Sequence, residues 1–465
     1  MEISKKLAEF IVGTSIERLP EGSVDFTKGA MIDTVGVALA GSVEPAGDII
    51  KEFVQNLGSK PVAGVLSGGF RTSAPQAGLA NGVLAHVLDY DDNSGDAQSK
   101  GSCHPSGVFM CTLLPLADEL GASGKDIIEA HVVGSEVWAK LSGVLSPPTL
   151  LFKGWHPTSA LGTLGATAAA AKLLRLNVEQ AQNAMGISCS QAAGIYRNSG
   201  SMTKSFHMGN AASCGITAAM LAKQGYTSTA NVMEADIGYF TAFYGGDPVD
   251  LSYVTEKLGN PLDVVEQGLK VKRYPTCSCT HRCIDAMLHL VNTYDIKPDQ
   301  VKAVDCLVPP QYSKVSLPYD NPTTKLEAKF SLTFVLACAI KNRSVGLAQM
   351  TDEEVNDPLT KELMKRVGHR IHPDWAEGDN WPARADIVTV KLKDGREYSH
   401  EVLDAKGWPQ APLSDDELID KYRDCARLVL DDKEMDRSID LMMNLAGLEN
   451  VRELMEIVCL IGENN

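Results

Sequence analysis

The chain has 465 residues, and its 43 Lys and Arg against 59 Asp and Glu give a formal net charge of −16 at pH 7. One hydrophobic core rarely extends beyond about 250–300 residues, so this length predicts two domains. The 44% hydrophobic and 22% charged residues are typical of a globular protein and exclude a disordered or fibrous one. The negative charge disfavours phosphate backbones and anionic lipids, so neither a nucleic acid nor a membrane is expected as a partner.

Targeting signals and cysteine usage indicate the compartment of the protein. The N-terminal sequence MEISKKLAEF lacks the apolar run and the small-residue cleavage site of a signal peptide. The longest weakly polar stretch, residues 160–174, is too short to span a bilayer. The 11 cysteines are odd in number and lack the spacing of a disulfide framework, which favours reduced thiols. We therefore expect a cytoplasmic protein.

The first 265 residues have the apolar spacing of successive helices. In the first of these helices Ile3, Leu7, Phe10 and Ile11 recur at helical intervals. Alanine and glycine are dense throughout, and small residues at facing positions let helices approach closely. This region therefore predicts a packed all-α domain. Further helices are predicted over residues 26–39, 74–88, 106–120, 125–145, 158–174, 178–193 and 209–223.

The pattern changes near residue 270, where alternating apolar residues predict strands. Residues 301–308 alternate as a strand does, and Asp394-Gly395 separates two further alternating runs, which indicates a hairpin. Helical spacing occurs between these strands, over residues 326–340 and 352–366.

The end of the chain returns to helices. Ser414 and Glu417 have the spacing of a capping box, which predicts the start of a helix. The predicted fold is therefore mainly α. A large all-helical domain is formed by residues 1–265 and 409–465, and a smaller α+β domain covers residues 266–408.

Sequence signatures of bound cofactors are missing. There is no phosphate-binding loop, no glycine-rich dinucleotide motif and no paired-histidine zinc motif. The one metal-like cluster is Cys277-x-Cys279-x-His281-x-Cys283, whose spacing differs from that of a zinc knuckle and which has no second half. This pattern favours free thiols, so neither a metal nor another cofactor is expected.

Histidines and charged residues recur in loops that lead into predicted helices. His104 and His156 each precede a proline, which suits the first position of a helix, so both are expected at helix N-termini. Such termini favour anions, and cations grouped with them would suit a polycarboxylate. Each feature alone is typical of a capping residue or of surface charge, but their number favours a binding site. The other residues of this kind are Asp89, Lys204, His207, Lys272 and Arg273.

Several longer stretches together resemble the MmgE/PrpD family. Their combination and their order along the chain make the resemblance specific, whereas a single His-Pro pair would not. The stretches are HVLDYDDN (86–93), CHPSG (103–107), GWHPTSALGTLGATAAAAKLL (154–174), GSMTKSFHMGNAA (200–212), KRYPTCSCTHRCIDA (272–286), LEAKFS (326–331) and DGREYSHEVLDAKGWP (394–409).

The resemblance implies a fold, an assembly and a set of site residues. It implies that the α+β domain is a lid, that the catalytic cleft lies between the domains, and that the protein is a homodimer acting on a small carboxylate. Family members dehydrate 2-methylcitrate, decarboxylate cis-aconitate or epimerise iminodisuccinate. The implied catalytic residues are Asp89, His104, His156, Lys204 and Lys272, and the implied substrate-binding residues are Asn93, His207, Arg273 and Tyr319, with Tyr312 as the rival of Tyr319.

These reactions share a carbanion next to a carboxylate, whose charge must be offset by cations and N–H donors. A base with a pKa near neutral must take the proton, which favours His156 or His104, and Asp89 would orient a histidine or a lysine. We favour a metal-free hydro-lyase, with an epimerase or a decarboxylase as alternatives. A non-catalytic carboxylate-binding protein and a metal-dependent lyase using the cysteine cluster are alternatives of other classes. Asn93-Ser94 stands where many members have Thr-Trp, and the loop before His104 is longer. These differences predict a substrate other than cis-aconitate or 2-methylcitrate.

Overall fold

A computed structural model of the chain describes residues 2–93, 103–144, 150–151, 153–245, 250–262, 268–310, 316–374 and 384–460. Within these residues the chain forms two compact units. Unit 1 comprises the chain up to Asn198, Thr203–Lys270 and the chain from Ser414 onward, and unit 2 comprises Ser199–Met202 and Val271–Leu413. Helices prevail in the described residues, so the prediction of a mainly α fold is confirmed.

Unit 1 consists of helices packed through apolar and small residues. Before unit 2 they are α1 (Ile3–Gly13), α2 (Ser23–Gly41), α3 (Pro45–Asn56), α4 (Ala74–His86), α5 (Pro105–Leu120), α6 (Gly124–Val144), α7 (Pro157–Ala160), α8 (Gly162–Leu173), α9 (Val178–Cys189), α10 (Thr203–Lys223), α11 (Tyr239–Tyr244) and α12 (Ser252–Lys257). Every residue of α2 from Gly29 to Gly41 is buried, as expected of a helix at the centre of a core. A two-residue ladder of β1 (Ala63–Gly64) and β2 (Arg71–Thr72) lies between α3 and α4.

Glycines allow α2, α4 and α10 to touch through their backbones. A Cβ atom at Gly41 of α2 would lie 1.9 Å from the carbonyl oxygen of Leu84 in α4. A Cβ atom at Gly209 of α10 would lie 2.1 Å from the carbonyl oxygen of Leu79, also in α4. No side chain fits at either contact, so α4 is held between α2 and α10 at the distance of backbone contact.

Two predicted helices of unit 1 have other bounds. α10 begins at Thr203 and not at residue 209, so Lys204 and His207 lie in the helix rather than in a loop before it. Gly209 suggested the later start, but it lies inside the helix. A glycine is needed at this position because α4 packs too closely for a side chain. The predicted helix over residues 158–174 is divided into α7 and α8 at Leu161.

Unit 2 contains a four-stranded sheet with the order β4-β3-β5-β6. Its strands are β3 (Val301–Val308), β4 (Val367–Ile371), β5 (Asp386–Leu392) and β6 (Glu397–Val402). β3 pairs in parallel with β4 and antiparallel with β5, which in turn pairs antiparallel with β6. Gly395, with a φ of 92°, lies in the turn between β5 and β6, so the predicted hairpin is confirmed.

The helices of unit 2 are shorter than predicted. They are α13 (His281–Thr293), α14 (Lys325–Ala328), α15 (Leu332–Asn342), α16 (Asp352–Val355) and α17 (Pro358–Met364). Each of the two long helices predicted here is divided into two, because Ser331 caps a new start at α15 and Asp357, followed by Pro358, caps another at α17. β4 was not predicted, because Val367 is its only buried residue and the alternation of a strand is missing.

The C-terminal helices belong to unit 1. They are α18 (Asp415–Ala426), α19 (Asp432–Met443) and α20 (Arg452–Val458). The Ser414 hydroxyl accepts the backbone N–H of Glu417 at the start of α18, which confirms the predicted capping box. None of the described helices is both long and apolar enough to cross a bilayer.

Candidate active site

The predicted site begins where α4 ends. His86 is the last residue of α4, and the chain then turns through Asp89, whose φ of 51° lies in the left-handed region. This backbone conformation is uncommon for residues other than glycine, but Asp adopts it more readily than most. The side chains of Asp89 and Asp91 are buried. The N–H of Asn93 donates to the carbonyl of Lys270 over 2.9 Å, which fixes the end of this turn.

Asp91 contacts two imidazoles with its two carboxylate oxygens. Its Oδ1 lies 2.9 Å from Nδ1 of His86. Its Oδ2 lies 2.9 Å from Nδ1 of His104, the residue that precedes α5. The hydrogen bond from His86 to the carboxylate favours a proton on Nδ1 of His86, whose Nε2 then faces other partners, whereas His104 is at ion-pair distance from Asp91. The two rings meet edge to face, with centroids 4.4 Å apart.

Lys204 of α10 brings a buried cation to these groups. Its Nζ lies 2.8 Å from Nε2 of His86 and 2.9 Å from Oδ1 of Asp89. The same carboxylate oxygen lies 3.6 Å from Nε2 of His104. Because α4 and α10 touch at Gly209, the end of α4 and the start of α10 can bring His86 and Lys204 within hydrogen-bonding distance.

A second pair of imidazoles adjoins the first group. His156 precedes Pro157 at the start of α7, so the predicted position at a helix N-terminus is confirmed for this residue, as it is for His104. Nδ1 of His156 lies 3.0 Å from Nδ1 of His207 in α10, so one ring donates and the other accepts. The ring of His156 stacks with that of His86, with centroids 6.1 Å apart.

Burial keeps three of these histidines neutral. Loss of hydration lowers the pKa of His86 to about 3, although Asp91 acts in the opposite direction. Burial and then the charge of Lys204 lower the pKa of His156 well below its usual value. Burial lowers the pKa of His207 to about 4. At neutral pH these rings therefore offer one N–H donor and one basic nitrogen each.

The pKa values of two adjacent carboxyl groups are shifted in opposite directions. Burial opposes ionisation of Asp91, but His86 and His104 outweigh it and lower the pKa of Asp91 well below the usual value. Burial, together with the nearby charge of Asp33, raises the pKa of Asp92 well above the usual value. The Asp92 carboxyl accepts the Ser106 hydroxyl over 2.6 Å, and its own N–H donates to Asp33 over 2.9 Å. The carboxylate form is thus favoured at Asp91, and the carboxylic acid form at Asp92, relative to an ordinary aspartate.

The remaining predicted residues lie in unit 2. Lys272 is buried, whereas Arg273 is exposed and its guanidinium lies 5.9 Å from the ring centre of Tyr274. Tyr319 is half-buried, and its hydroxyl donates to the carbonyl of Ser199 over 3.1 Å. The roles implied for these residues stay predictions. The rival residue, Tyr312, lies outside the described residues.

One group of side chains has the composition of a metal site. In the described part of the chain, a group of three or more metal-type ligands occurs at His86, Asp89, Asp91 and His104, whose ligand atoms all lie within 4.8 Å of one another. The cysteine cluster is not such a group. Its Cys283 instead lies 3.6 Å from a carboxylate oxygen of Asp386 in β5.

Sequence reasoning overlooked two residues of the group, His86 and Asp91. Both are inside the stretch HVLDYDDN that carries the resemblance. The sequence contained a signal for His86, because it lies near the end of the helix predicted over residues 74–88, three residues before Asp89. Nothing local indicates that Asp91 contacts two histidines, since His104 belongs to another helix.

Comparisons with known proteins cover nearly the whole chain. Residues 5–252 match the MmgE/PrpD N-terminal domain, and residues 274–445 match the MmgE/PrpD C-terminal domain. The chain is 28% identical to the human cis-aconitate decarboxylase, over 96% of this chain and 92% of that protein. It is 22% identical to the Aspergillus terreus cis-aconitate decarboxylase, over 98% and 96% of the two chains. It is 24% identical to a cis-aconitate decarboxylase-like protein of Aspergillus oryzae, over 98% and 97%. From these matches, the chain belongs to the MmgE/PrpD family.

Proposed function

We propose that this protein is a lyase that acts on a small di- or tricarboxylate, and that decarboxylation of cis-aconitate is the first reaction to test. The relatives are named as cis-aconitate decarboxylases, which supports testing this reaction first. The sequence alone favoured a hydro-lyase instead. The observation that carries the proposal is the buried ammonium of Lys204, which lies beside Asp89 and His86. A cation in a site shielded from water stabilises developing negative charge far better than one in solution.

In a decarboxylation, the bond to the departing carboxylate breaks and its electron pair stays on carbon as CO₂ leaves. The carbanion is then quenched by a proton. Lys204 can stabilise the developing charge, and the N–H groups of the imidazoles can donate to substrate oxygens. Asp91 serves this reaction indirectly, because it fixes the orientation of the rings of His86 and His104.

A hydro-lyase is the second candidate, and the pair of His156 and His207 favours it. Dehydration begins with removal of a proton from carbon, which needs a base that is unprotonated at working pH. Both rings are neutral at pH 7, since their pKa values are lowered. An epimerase would use the same first step and return the proton to the opposite face.

Proton NMR of chelator-treated protein in D₂O separates these reactions. The panel contains cis-aconitate, citrate, 2-methylcitrate and iminodisuccinate. Conversion of cis-aconitate to a product with one carbon fewer supports decarboxylation. New alkene signals from citrate or 2-methylcitrate indicate dehydration, and exchange with loss of stereochemistry indicates epimerisation. Binding seen as a thermal shift without any turnover would support a carboxylate-binding protein instead.

Variants assign the reaction to the site. Lys204→Ala and His156→Ala are expected to abolish turnover while far-UV circular dichroism remains that of the wild type. Lys223→Ala is the matched control, because Lys223 is the exposed residue at the other end of α10. Rates like those of the wild type in both site variants would contradict the assignment. Lys272→Ala tests the residue that the family resemblance places in the site.

The assembly and the lid are parts of the same proposal that rest on the resemblance, and the compartment rests on the N-terminal sequence and the cysteines. A homodimer is expected, and light scattering of the purified protein measures its mass. The lid role of the smaller unit stays a prediction. A cytoplasmic location is expected as well, and fractionation of the source cells tests it. Full activity after treatment with a chelator would agree with the expected independence from metals.

A further inference from the structure

His156 and His207 are joined through the same atom of each ring. Nδ1 of His156 lies 3.0 Å from Nδ1 of His207, and the ring centroids are 5.1 Å apart. A hydrogen bond between two Nδ1 atoms needs a proton on only one of them, so the two neutral rings have different tautomers. One ring carries its proton on Nδ1, and the other carries it on Nε2.

The ring of His156 has one nitrogen left for a substrate. Among the residues that the structure describes, Nε2 of His156 has no hydrogen-bond partner, whereas its Nδ1 faces His207. The backbone holds the residue in place, because its N–H donates to the carbonyl of Gly194 over 2.9 Å and its carbonyl accepts the N–H of Ser159 over 3.0 Å. The ring also stacks with His86, whose Nε2 lies 2.8 Å from the ammonium of Lys204. His156 is therefore fixed beside the buried cation of the site.

The two rings differ in their affinity for a further proton. Burial lowers the pKa of both rings, to about 4 for His207 and well below the usual value for His156. Positive charge on Lys204 or His86 opposes protonation of both rings, and charge on His104 also opposes protonation of His156. His156 is the more buried of the two. A proton taken up by the pair is therefore more stable on His207.

We propose that His156 and His207 form a proton relay, in which His156 exchanges a proton with a substrate carbon through Nε2 and His207 holds that proton. At rest, His156 carries its proton on Nδ1 and His207 carries its own on Nε2. When Nε2 of His156 takes a proton from carbon, its Nδ1 proton passes to Nδ1 of His207. The electron pair of the broken C–H bond stays on carbon, and the positive charge is then on His207. His207 is thus a positioning residue that acts through His156, whereas the resemblance implies that it binds substrate.

The same relay in reverse supplies the proton that quenches a carbanion after the loss of CO₂. The negative charge of a bound polycarboxylate raises the proton affinity of nearby imidazoles, so the pair can hold a proton before this step. His156 then gives its Nε2 proton to carbon and receives the Nδ1 proton of His207, which restores the resting state. The transfer to and from substrate rests on the proposed function, whereas the resting tautomers are a property of the protein alone.

Nitrogen-15 NMR of histidine-labelled protein at neutral pH, without substrate, tests the resting tautomers. We expect a proton on Nδ1 of His156 and on Nε2 of His207, with signals assigned from the spectra of His156→Gln and His207→Gln. The opposite tautomers would overturn the relay, whatever the protein turns over. The expected tautomers, with no turnover of any compound in the panel, would support the arrangement of the pair and contradict only the proposed reaction.

Rates in mixtures of H₂O and D₂O test the transfer itself. Two protons move in the relay, so the wild-type rate should depend on the deuterium fraction along a curve. His207→Gln keeps a polar partner for His156 but cannot hold the proton, so kcat should fall by about tenfold or more, with a linear dependence on deuterium and little change in KM. A raised KM with unchanged kcat, as expected of a substrate-binding residue, would overturn the relay, and so would kinetics like those of the wild type.

Cys214→Ser is the matched control for the kinetics, because Cys214 lies on the same helix about two turns beyond His207. This variant should keep the kcat, the KM and the curved dependence of the wild type. Far-UV circular dichroism and thermal unfolding of His207→Gln check that its fold is retained. A linear dependence on deuterium in the wild type would show that one proton moves, and the relay would then be wrong.

Discussion

The ammonium group of Lys421 lies 2.5 Å from Oδ1 of Asp33, although 388 residues separate the two in the sequence. Lys421 also donates to the carbonyl of Tyr90 over 2.8 Å and lies 3.9 Å from the centre of the Tyr90 ring. Asp33 accepts the N–H of Asp92 with its other oxygen. The helix α18, from the C-terminal part of the chain, is therefore tied to α2 and to the turn of the candidate site.

Lys421→Met is expected to reduce the free energy of unfolding by about 3–5 kcal/mol, because it leaves a buried carboxylate without its cation. Burial already raises the pKa of Asp33, so this carboxyl can take up a proton in the variant, and the loss should be smaller at pH 5 than at pH 8. Chemical denaturation at both pH values measures the effect.

The exposed Lys433 of α19 provides the control for this substitution, and Lys433→Met should change the free energy of unfolding by less than about 0.5 kcal/mol. The double variant Asp33→Asn/Lys421→Met should regain part of the stability, because no unpaired charge remains. A double variant as unstable as the sum of the two single variants would show that the pair is not coupled.

Asp91→Asn and Asp92→Asn are expected to reduce kcat to very different extents, although the two residues are adjacent. Asp91 is ionised and orients two histidines, so its replacement should reduce kcat by on the order of 10²–10⁴-fold. The pKa of Asp92 is raised, so an uncharged amide in its place changes the site less and should reduce kcat much less. Steady-state kinetics of both variants measures the difference, and equal losses of kcat would contradict the different roles assigned to the two carboxyl groups.

His131 is expected to make the protein sensitive to acid. It is fully buried against Thr27 and Phe26, and burial lowers its pKa to about 3. In the unfolded chain it takes up a proton below about pH 6.5, whereas in the folded protein it does not, so stability falls as the pH falls below that value. A His131→Gln variant lacks this contribution.

Between pH 7 and pH 5 the wild type should therefore lose about 2 kcal/mol more of its free energy of unfolding than His131→Gln, from about 1.4 kcal/mol per pH unit. Denaturation curves of both proteins at the two pH values give this difference directly. Parallel pH dependences would show that His131 is protonated to the same extent in both states.

Gly209→Ala should disturb both the fold and the site, because the added methyl group would lie 2.1 Å from the carbonyl oxygen of Leu79. Forcing atoms into a packed contact costs about 1–3 kcal/mol. Turnover should fall as well, since Lys204 is on the same helix. Gly13→Ala is the control, because a Cβ atom there would meet nothing within 4 Å. Thermal unfolding and initial rates of the two variants should differ in this direction, and equal behaviour would contradict the tight contact.

Local signals predicted much of the fold. Apolar periodicity indicated most of the long helices of unit 1, though not α3, and Asp394-Gly395 indicated the hairpin, because both signals depend on residues that are close in sequence. Strand β4 was not predicted, because four of its five residues are incompletely buried and so show no apolar alternation. Its parallel pairing with β3 depends on residues distant in sequence. The start of α10 was misplaced because Gly209 was interpreted as the beginning of a helix. A glycine is needed there because α4 packs against this position of α10.

The candidate site was also predictable only in part, because local signals do not contain the contacts between helices that are distant in sequence. The prolines after His104 and His156 indicated helix starts, and the structure has both histidines there. The contacts of Asp91 with two imidazoles, and of Lys204 with Asp89, depend on how α4, α5 and α10 pack. Such packing distances are not encoded in any single stretch of sequence.

The left-handed backbone at Asp89 decides which substitutions at this position can be interpreted. An alanine there would lose the carboxylate and also prefer another backbone conformation, at a cost of roughly 1–2 kcal/mol. A reduced rate in that variant would combine two causes that kinetics alone does not separate. Asparagine accepts the same dihedral angles and differs from aspartate in charge, so it is the replacement that isolates the charge of the carboxylate. The difference between a glycine and an alanine, which both lack the carboxylate, isolates the backbone.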